Sequence, residues 1–200
     1  VYIWSVYTEC LHGMPSKCPI RVAVPVNLRP YFNSITTKNF FVMVSAEFHP
    51  TKETYTFAEV LEIVKESLRK QINRENLEKL FSYNVSNEKL LIARVVPLFL
   101  KNLAMKYVYT TSALANTATI TNIGNISVAE EYRPYVEMFQ AFLAMSKGQH
   151  LKGTICSYGD TLVFSFSYDL VDASVQRGFF RKIASDGIAV EIKSNGVNYE

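Results

Sequence analysis

The chain has 200 residues, of which 48% are hydrophobic and 13% aromatic, and its formal net charge is +3. That apolar content excludes intrinsic disorder, and the length is sufficient for one domain with its own core. A charge this small does not favour nucleic acid as a partner. No uncharged apolar run reaches membrane-spanning length, so we expect a folded domain without a membrane span.

The first residues, VYIWSVYTECLHG, lack an initiator Met and a basic leader region. Ile3, Tyr7 and Leu11 share one face of a predicted helix that ends at Gly13. A start inside a helix predicts that the chain is an excised fragment of a longer protein.

Two apolar segments, residues 20–29 and 39–48, predict the first two strands. Pro25 lies inside the first of them and indicates an edge position or a bulge, since proline donates no ladder hydrogen bond. Asn27 and Arg29 follow in the sequence PVNLRP. They either close a turn or form a surface ion pair, or they line a channel or bridge two parts of the structure.

Helices are predicted in the middle of the chain. Thr56 and Glu59 form a capping box at the start of the first, and residues 74–84 predict a short second helix. A third helical region spans about residues 87–107, and Pro97 must break or kink it. Because LLIARVVPLFLKNLAM is apolar almost all round, this region is either buried between layers or contacts a missing partner half.

Threonines alternate with apolar residues over 117–121, which predicts a strand with one polar face. Asn122 and Gly124 are expected to end this strand in a turn. Residues 135–145 have a periodicity that allows a helix.

The last third of the chain predicts a hairpin of two strands, residues 151–157 and 161–167, followed by an amphipathic helix. Asp172 or Ser174 is expected to cap that helix. Residues 188–193, IAVEIK, predict a final strand.

The polar turn SYDLVD lies between the strand over 161–167 and the last helix. It resembles the turn of the chloramphenicol acetyltransferase-like acyltransferases, which carries a His-His-x-x-x-Asp-Gly motif. The second His of that motif is the general base, and its Asp usually pairs with an Arg. In this frame the two His fall on Ser167 and Tyr168, the Asp on Asp172 and the Gly on Ala173. The frame is kept, and the base is lost.

Many members of that family are pseudo-dimers with the working motif in the N-terminal half, and this chain resembles a C-terminal half. PVNLRP, followed by TTKNFFVMVSAEF, resembles the alcohol acetyltransferase branch, and Thr121-Asn122-Ile123-Gly124 resembles a stretch near the acceptor channel. The resemblance also favours a strand over 135–145. The candidate substrate-channel or structural residues are Asn27, Arg29, Asn122, Gly124, Tyr168 and Asp172.

The fold implied by the resemblance is α/β (α+β), a chloramphenicol acetyltransferase-like two-layer sandwich with a mixed β-sheet covered by helices. Residues 1–200 are then one domain, the C-terminal subdomain of a larger two-subdomain acyltransferase. Its partners are the N-terminal half of the same polypeptide, an acyl-CoA such as acetyl-CoA as co-substrate, and an alcohol or amine acceptor. This half forms one wall of the substrate tunnel.

No catalytic residue is assigned within the chain, and the isolated chain is expected to be inactive. None of its three histidines, His12, His49 and His150, lies in the motif's frame, and a tyrosine phenol is a poor base at neutral pH. No bound cofactor is expected. A non-catalytic binding or assembly module with a decayed acyltransferase fold, able to form a homodimer, remains the alternative.

Cys10, Cys18 and Cys156 are an odd and sparse set of cysteines, which favours reduced thiols and a cytoplasmic protein. Cys10, His12 and Cys18 lie close together in sequence, but no second ligand pair follows, so zinc is not expected.

Two roles are open for Asp172. It either caps the last helix, or it forms a partly buried ion pair with Arg21 or Arg29. The family's use of this Asp favours the ion pair.

Overall fold

The computed structural model describes residues 1–89 and 96–195, and the side chains of these residues except 84–89 and 112–114. The strands are β1 (Ile20–Asn27), β2 (Phe41–Phe48), β3 (Ala118–Asn125), β4 (Leu151–Tyr158) and β5 (Thr161–Tyr168). The helices are α1 (Tyr2–Ser5), α2 (Arg29–Phe32), α3 (Phe57–Gln71), α4 (Arg74–Lys89), α5 (Leu98–Leu114) and α6 (Ser174–Ser185). A π-helical turn, Val6–Cys10, continues α1, and a 3-10 helix spans Glu130–Tyr135.

The five strands form one mixed sheet in the order β2-β1-β3-β4-β5. The outer pairs are antiparallel, and the inner pairs β1–β3 and β3–β4 are parallel. These findings confirm the mixed α/β (α+β) class, while the chloramphenicol acetyltransferase-like architecture stays a prediction. Among the described residues, no helix is both long and apolar enough to cross a membrane.

The two central parallel strands separate soon after they meet. β1 and β3 pair only at Val22 with Ala118 and at Ala23 with Thr119. Pro25 therefore lies beyond the paired segment, and on the β3 side no described strand pairs with it. Its missing N–H costs the sheet no bond on that side, but β1 lies inside the sheet and its register with β2 is continuous at Pro25, so the predicted edge position or bulge is wrong.

One face of the sheet is apolar and packs against α1, the π-helical turn, α3 and α6. Strand residues such as Val22, Phe48 and Leu151 are buried there. Phe179 of α6 belongs to an aromatic cluster on this face, and its ring centroid lies 4.4 Å from that of Phe164. A second apolar cluster lies under α2 and α4 and consists of Leu28, Val42, Val44 and Leu77.

Helix α3 begins as the sequence predicts and also covers the outer edge of β2. Thr56 and Glu59 form the capping box. Near its other end, Gln71 binds the backbone of Ser45 twice: its Oε1 accepts from the N–H at 3.0 Å, and its Nε2 donates to the C=O at 2.6 Å. Ser67 Oγ accepts from the N–H of Glu47. These side chains replace the missing neighbouring strand.

The helical region predicted over residues 87–107 is different in the structure. Helix α4 runs to Lys89, and α5 begins at Leu98, directly after Pro97. Residues 90–95, which belong to the apolar run, lie outside the described part. Burial of this region between layers is wrong for α5, because Phe99 and Leu103 are 70% and 67% exposed.

Two predicted strands are absent from the described structure. Residues 136–145 have no regular secondary structure, because they cross β4 without pairing with it: Cys156 Sγ donates to the carbonyl of Phe139, and Lys152 Nζ donates to that of Ala144. Residues 188–193 are also irregular, although their apolar residues alternate. Ile188 and Ile192 are exposed, so this alternation does not reflect a buried face.

The turn predicted at Asn122 and Gly124 is a bulge inside a continuing strand. β3 runs to Asn125, and its register against β4 shifts between these two residues. Gly124 has a φ of 84°, which only glycine adopts readily, and its N–H donates to Asn122 Oδ1 at 2.9 Å.

Candidate ligand-binding site

The face of the sheet opposite the helices carries a transverse row of five residues. Ser45 pairs with Ala23, Ala23 with Thr119, Thr119 with Lys152, and Lys152 with Ser167. Because directly paired residues point to the same face of a sheet, all five strands contribute one residue to this row. Four of the five side chains are polar.

Ala23 is the small member of the row, and its size lets neighbours meet across β1. Its side chain is buried, and the hydroxyl of Ser45 reaches over the strand to Asn116 Oδ1 at 3.3 Å. Gln71 fixes the backbone of Ser45 from the other side. Ser45 at this end of the row is therefore held through its backbone by Gln71 and through its hydroxyl by Asn116.

A tight turn over 146–149 forms one wall above the row. The N–H of Gln149 donates to the carbonyl of Ser146 at 3.0 Å, and the two residues form an isolated β-bridge. Gly148 has a φ of 83°, which suits the third position of a type II turn. The Ser-Lys-Gly-Gln sequence thus brings the side chains of Ser146 and Gln149 to the same place.

Lys152 lies below this turn and is only 8% exposed. Its ammonium group donates to the carbonyl of Ala144 at 2.7 Å and to Ser146 Oγ at 2.6 Å. No carboxylate of the described residues pairs with it. Thr154, two residues on along β4, is 2% exposed, and its hydroxyl oxygen has no hydrogen-bond partner among the described residues.

An open cavity of about 490 Å³ lies over the row where β1 and β3 separate. The described residues that line it are Ala23, Met43, Ser45, Tyr109, Asn116, Thr119, Ser146 and Gln149. These residues supply hydroxyl and amide groups, and none of them is a His, Cys, Asp or Glu. The described lining therefore combines polar groups with the apolar Ala23 and Met43, and it offers no general base.

Asn27 and Arg29, predicted as channel-lining, bridging or turn-closing residues, close the loop between β1 and β2. Asn27 Oδ1 accepts from the backbone N–H of Arg29 at 3.1 Å and from its Nη1 at 3.2 Å. The guanidinium group also donates to the carbonyls of Thr36 and Lys38, at 2.9 and 2.6 Å. These bonds support the turn-closing role.

The predicted site residues do not converge on one place. Asn27 ends β1 and Asn122 lies near the end of β3. Because these strands are parallel, both residues lie at the same end of the strands. Tyr168 ends β5, which runs the opposite way, so it lies at the other end of the strands, opposite Leu151. None of the six predicted site residues is among the described residues that line the cavity.

Asp172 is exposed, and the ion pair favoured for it is wrong. Its carboxylate accepts from the N–H of Ser174 at 2.9 Å and from the Ser174 hydroxyl at 2.8 Å. Arg21 pairs instead with Glu47, and Arg29 is held in its own loop. The hydroxyl bond and then the backbone bond from Ser174 lower the pKa of Asp172. Asp172 therefore holds the first N–H of α6, a role close to the predicted cap.

The structure pairs one histidine with a carboxylate. His150 Nδ1 lies 3.0 Å from Asp169 Oδ1, and both side chains are at least half exposed. His150 follows Gln149 but does not line the cavity. The two residues are 19 positions apart, and the pairing of β4 with β5 brings them together. A local sequence motif therefore does not predict this pair.

The sequence predicts the polar face of the sheet but not the cavity on it. The alternating threonines over 117–121 predict that face in β3. Lys152, Ser146 and Gln149 carry no such signal, because their placement depends on the turn over 146–149 and on its position above β4.

The three cysteines are free thiols, with Cys10 and Cys18 exposed and Cys156 buried. Within the described parts of the chain, no group of three or more His, Cys, Asp and Glu residues is placed to hold a metal ion.

Comparison with known proteins adds no relative. No family model matches the chain, and no curated protein or solved structure matches it significantly.

Proposed function

We propose that this chain is the C-terminal half of a CoA-dependent O-acyltransferase of the alcohol acetyltransferase type. In this proposal it forms one wall of the tunnel in which an acyl-CoA and an alcohol or amine acceptor meet. An N-terminal half of the same polypeptide supplies the catalytic His-His-x-x-x-Asp motif.

The observation that carries the proposal is the cavity at the separation of β1 and β3. β1 leads to β2 and β3 leads to β4 on the other side, and the cavity lies over the sheet face beside the last residues that these two strands pair, Ala23 and Thr119. The described lining has hydroxyl and amide groups without a general base. A wall that positions substrate while another half provides the base has this composition.

The strand, turn and helix around Asp172 give independent support. β5 ends at Tyr168, α6 begins at Ser174, and Asp172 orders the turn between them by accepting from the first helical N–H. This is the arrangement in which the resembling family holds its motif. Tyr168, where the base would stand, is 41% exposed and offers only a phenol.

The exposed helix α5 gives a place for the other half to bind. Its described side chains include Phe99, Leu103 and Tyr107, all more than half exposed. Apolar faces of this kind mark interaction surfaces. The N-terminal half is the occupant that the acyltransferase proposal requires.

A second candidate function is a non-catalytic binding module, which the absence of an acid or base from the described cavity lining favours. The two functions differ in one checkable respect. An acyltransferase half requires coding sequence before Val1 that contains His-His-x-x-x-Asp-Gly, whereas a binding module does not.

The test is to sequence the complete transcript and to assay the isolated chain for release of CoA from acetyl-CoA with alcohols present. We expect the motif upstream and no release above that of a Tyr168→Phe control. His150→Gln is a second control, because the described structure pairs His150 with Asp169 of the turn that also contains Asp172. An upstream sequence without the motif would contradict the acyltransferase proposal and favour the non-catalytic binding module.

A further inference from the structure

The buried ammonium group of Lys152 is the strongest feature that the proposed function does not use. Its hydrogen-bond partners, the Ala144 carbonyl and the Ser146 hydroxyl, are both neutral. An ammonium group has three N–H donors, so these two bonds leave one over. A charge that is more than nine-tenths buried is costly unless an opposite charge accompanies it.

Ser146 connects this charge to the cavity. Its oxygen accepts from Lys152, and its own proton has no acceptor among the described residues, while its side chain lines the cavity. A hydroxyl that accepts from a cation is polarised and becomes a stronger donor. An acceptor atom in the cavity would therefore feel the lysine charge through this hydroxyl.

Two neighbouring groups complete a set of donors. The hydroxyl of Thr119 and the side-chain amide of Gln149 line the cavity and make no hydrogen bond to a described side chain or backbone group. No carboxylate lies among the described lining residues. Lys152 contacts the lining residue Ser146 directly, and its charge is positive.

We propose that this cavity binds a small organic anion, a carboxylate or a phosphate monoester, through Ser146, Thr119 and Gln149 in the field of Lys152. The anion supplies the counter-charge that the described protein groups do not provide. The cavity volume of about 490 Å³ suits a small molecule. This inference does not depend on acyltransferase activity, since a binding module would use the same site.

The experiment is a titration of the ¹⁵N-labelled chain with hexanoate, with hexyl phosphate and with the neutral hexanamide, at constant ionic strength to hold screening fixed. We expect saturable shifts of the backbone amides of Thr119, Ser146 and Gln149 with at least one of the two anions. Whichever anion binds more tightly identifies the class of ligand. Hexanamide should bind at least about tenfold more weakly, as expected when a charge-assisted hydrogen bond is lost.

Three variants assign the effect. Lys152→Met removes the charge at similar length and should weaken anion binding about tenfold or more. Lys147→Met removes the charge of an exposed lysine within the same turn and should change binding less than about twofold. Ser146→Ala keeps the lysine and should also weaken binding, and it carries the test if Lys152→Met fails to fold.

The absence of saturable shifts with both anions would overturn the proposal. Equal affinities for hexanamide and the anions would also overturn it, because the site would then select ligands by shape and not by charge. Equal losses in Lys147→Met and Lys152→Met would assign the effect to general surface charge and would also contradict it.

Discussion

Single small residues decide where this sheet is close-packed. Gly153 of β4 lies under the aromatic cluster, and a Cβ atom built on it would be 3.1 Å from Phe164 Cζ and 3.2 Å from Ile120 Cγ1. Ala23 has the corresponding role on the other face, where its methyl group leaves room for Ser45 to reach Asn116. The small size of the residue at each position follows from the neighbouring side chains that pack over it.

Gly153→Ala is expected to destabilise the fold, because the added methyl group overpacks the cluster at Phe164 and Ile120. The free energy of unfolding should fall by about 1–3 kcal/mol, measured by denaturant unfolding. The same substitution in a Phe164→Leu background should cost less, since the smaller side chain gives way. Equal costs in both backgrounds would contradict the packing account.

The pKa of Asp172 tests its role at the start of α6. Hydrogen bonds from the hydroxyl and then the N–H of Ser174 hold the pKa of Asp172 below its ordinary value. Ser174→Ala removes the larger cause, so an NMR titration should show the Asp172 pKa rising toward that value. Because the folded-state pKa is depressed, its contribution to stability is present above the ordinary pKa and is lost as the pH falls through the folded-state value. An unchanged pKa in Ser174→Ala would refute this assignment.

At the scale of elements, the described structure shows an edge strand protected by a helix. β2 is one of the two outermost strands, and α3 supplies the side chains of Gln71 and Ser67 to its free backbone groups. Neither residue belongs to the apolar stripe of α3. Their role follows from the geometry of the helix on the sheet edge.

Gln71→Met keeps the length of the side chain but removes both hydrogen bonds to the backbone of Ser45. We expect the free energy of unfolding to fall by about 1–3 kcal/mol, because partly buried backbone groups are left unpaired. Lys70→Met, on the exposed face of the same helix, is the matched control and should be near neutral. Equal effects of the two substitutions would argue against edge protection.

Elements with a strong local signal could be predicted from the sequence, and the others could not. The capping box at Thr56 and the strand predicted over 161–167 rest on local patterns, and both elements are present in the structure. The segment 136–145 is apolar but bonds to Lys152 and Cys156, which are distant in sequence. Contacts between residues distant in sequence produce no periodic pattern in the sequence. For the same reason the sequence did not predict Ser146 and Gln149 as site residues.

At the scale of the whole molecule, helices bury one face of the sheet in the described part of the chain, and the opposite face is incompletely covered. α5 presents apolar side chains to solvent, among them Phe99, Leu103 and Met105. Its apolar residues lie all round the helix, so packing on one side would leave others exposed. We expect a partner surface to bury them.

The isolated chain is therefore expected to bind a hydrophobic dye and to show concentration-dependent sedimentation. Phe99 and Leu103 lie four residues apart on one face of α5, so Phe99→Glu with Leu103→Glu should reduce both signals. The matched control is Glu62→Gln with Glu66→Gln on the exposed face of α3, which should change neither signal. A monomer without dye binding would contradict an interaction surface on α5.

The most direct test of the acyltransferase account is the initial rate of CoA release from acetyl-CoA by the complete polypeptide, with a series of primary alcohols as acceptors. The account predicts alcohol-dependent release by the complete polypeptide and none by residues 1–200 alone, since the cavity at β1 and β3 lacks a base in its described lining. Release by residues 1–200 alone, or no release by the complete polypeptide with any alcohol, would contradict it.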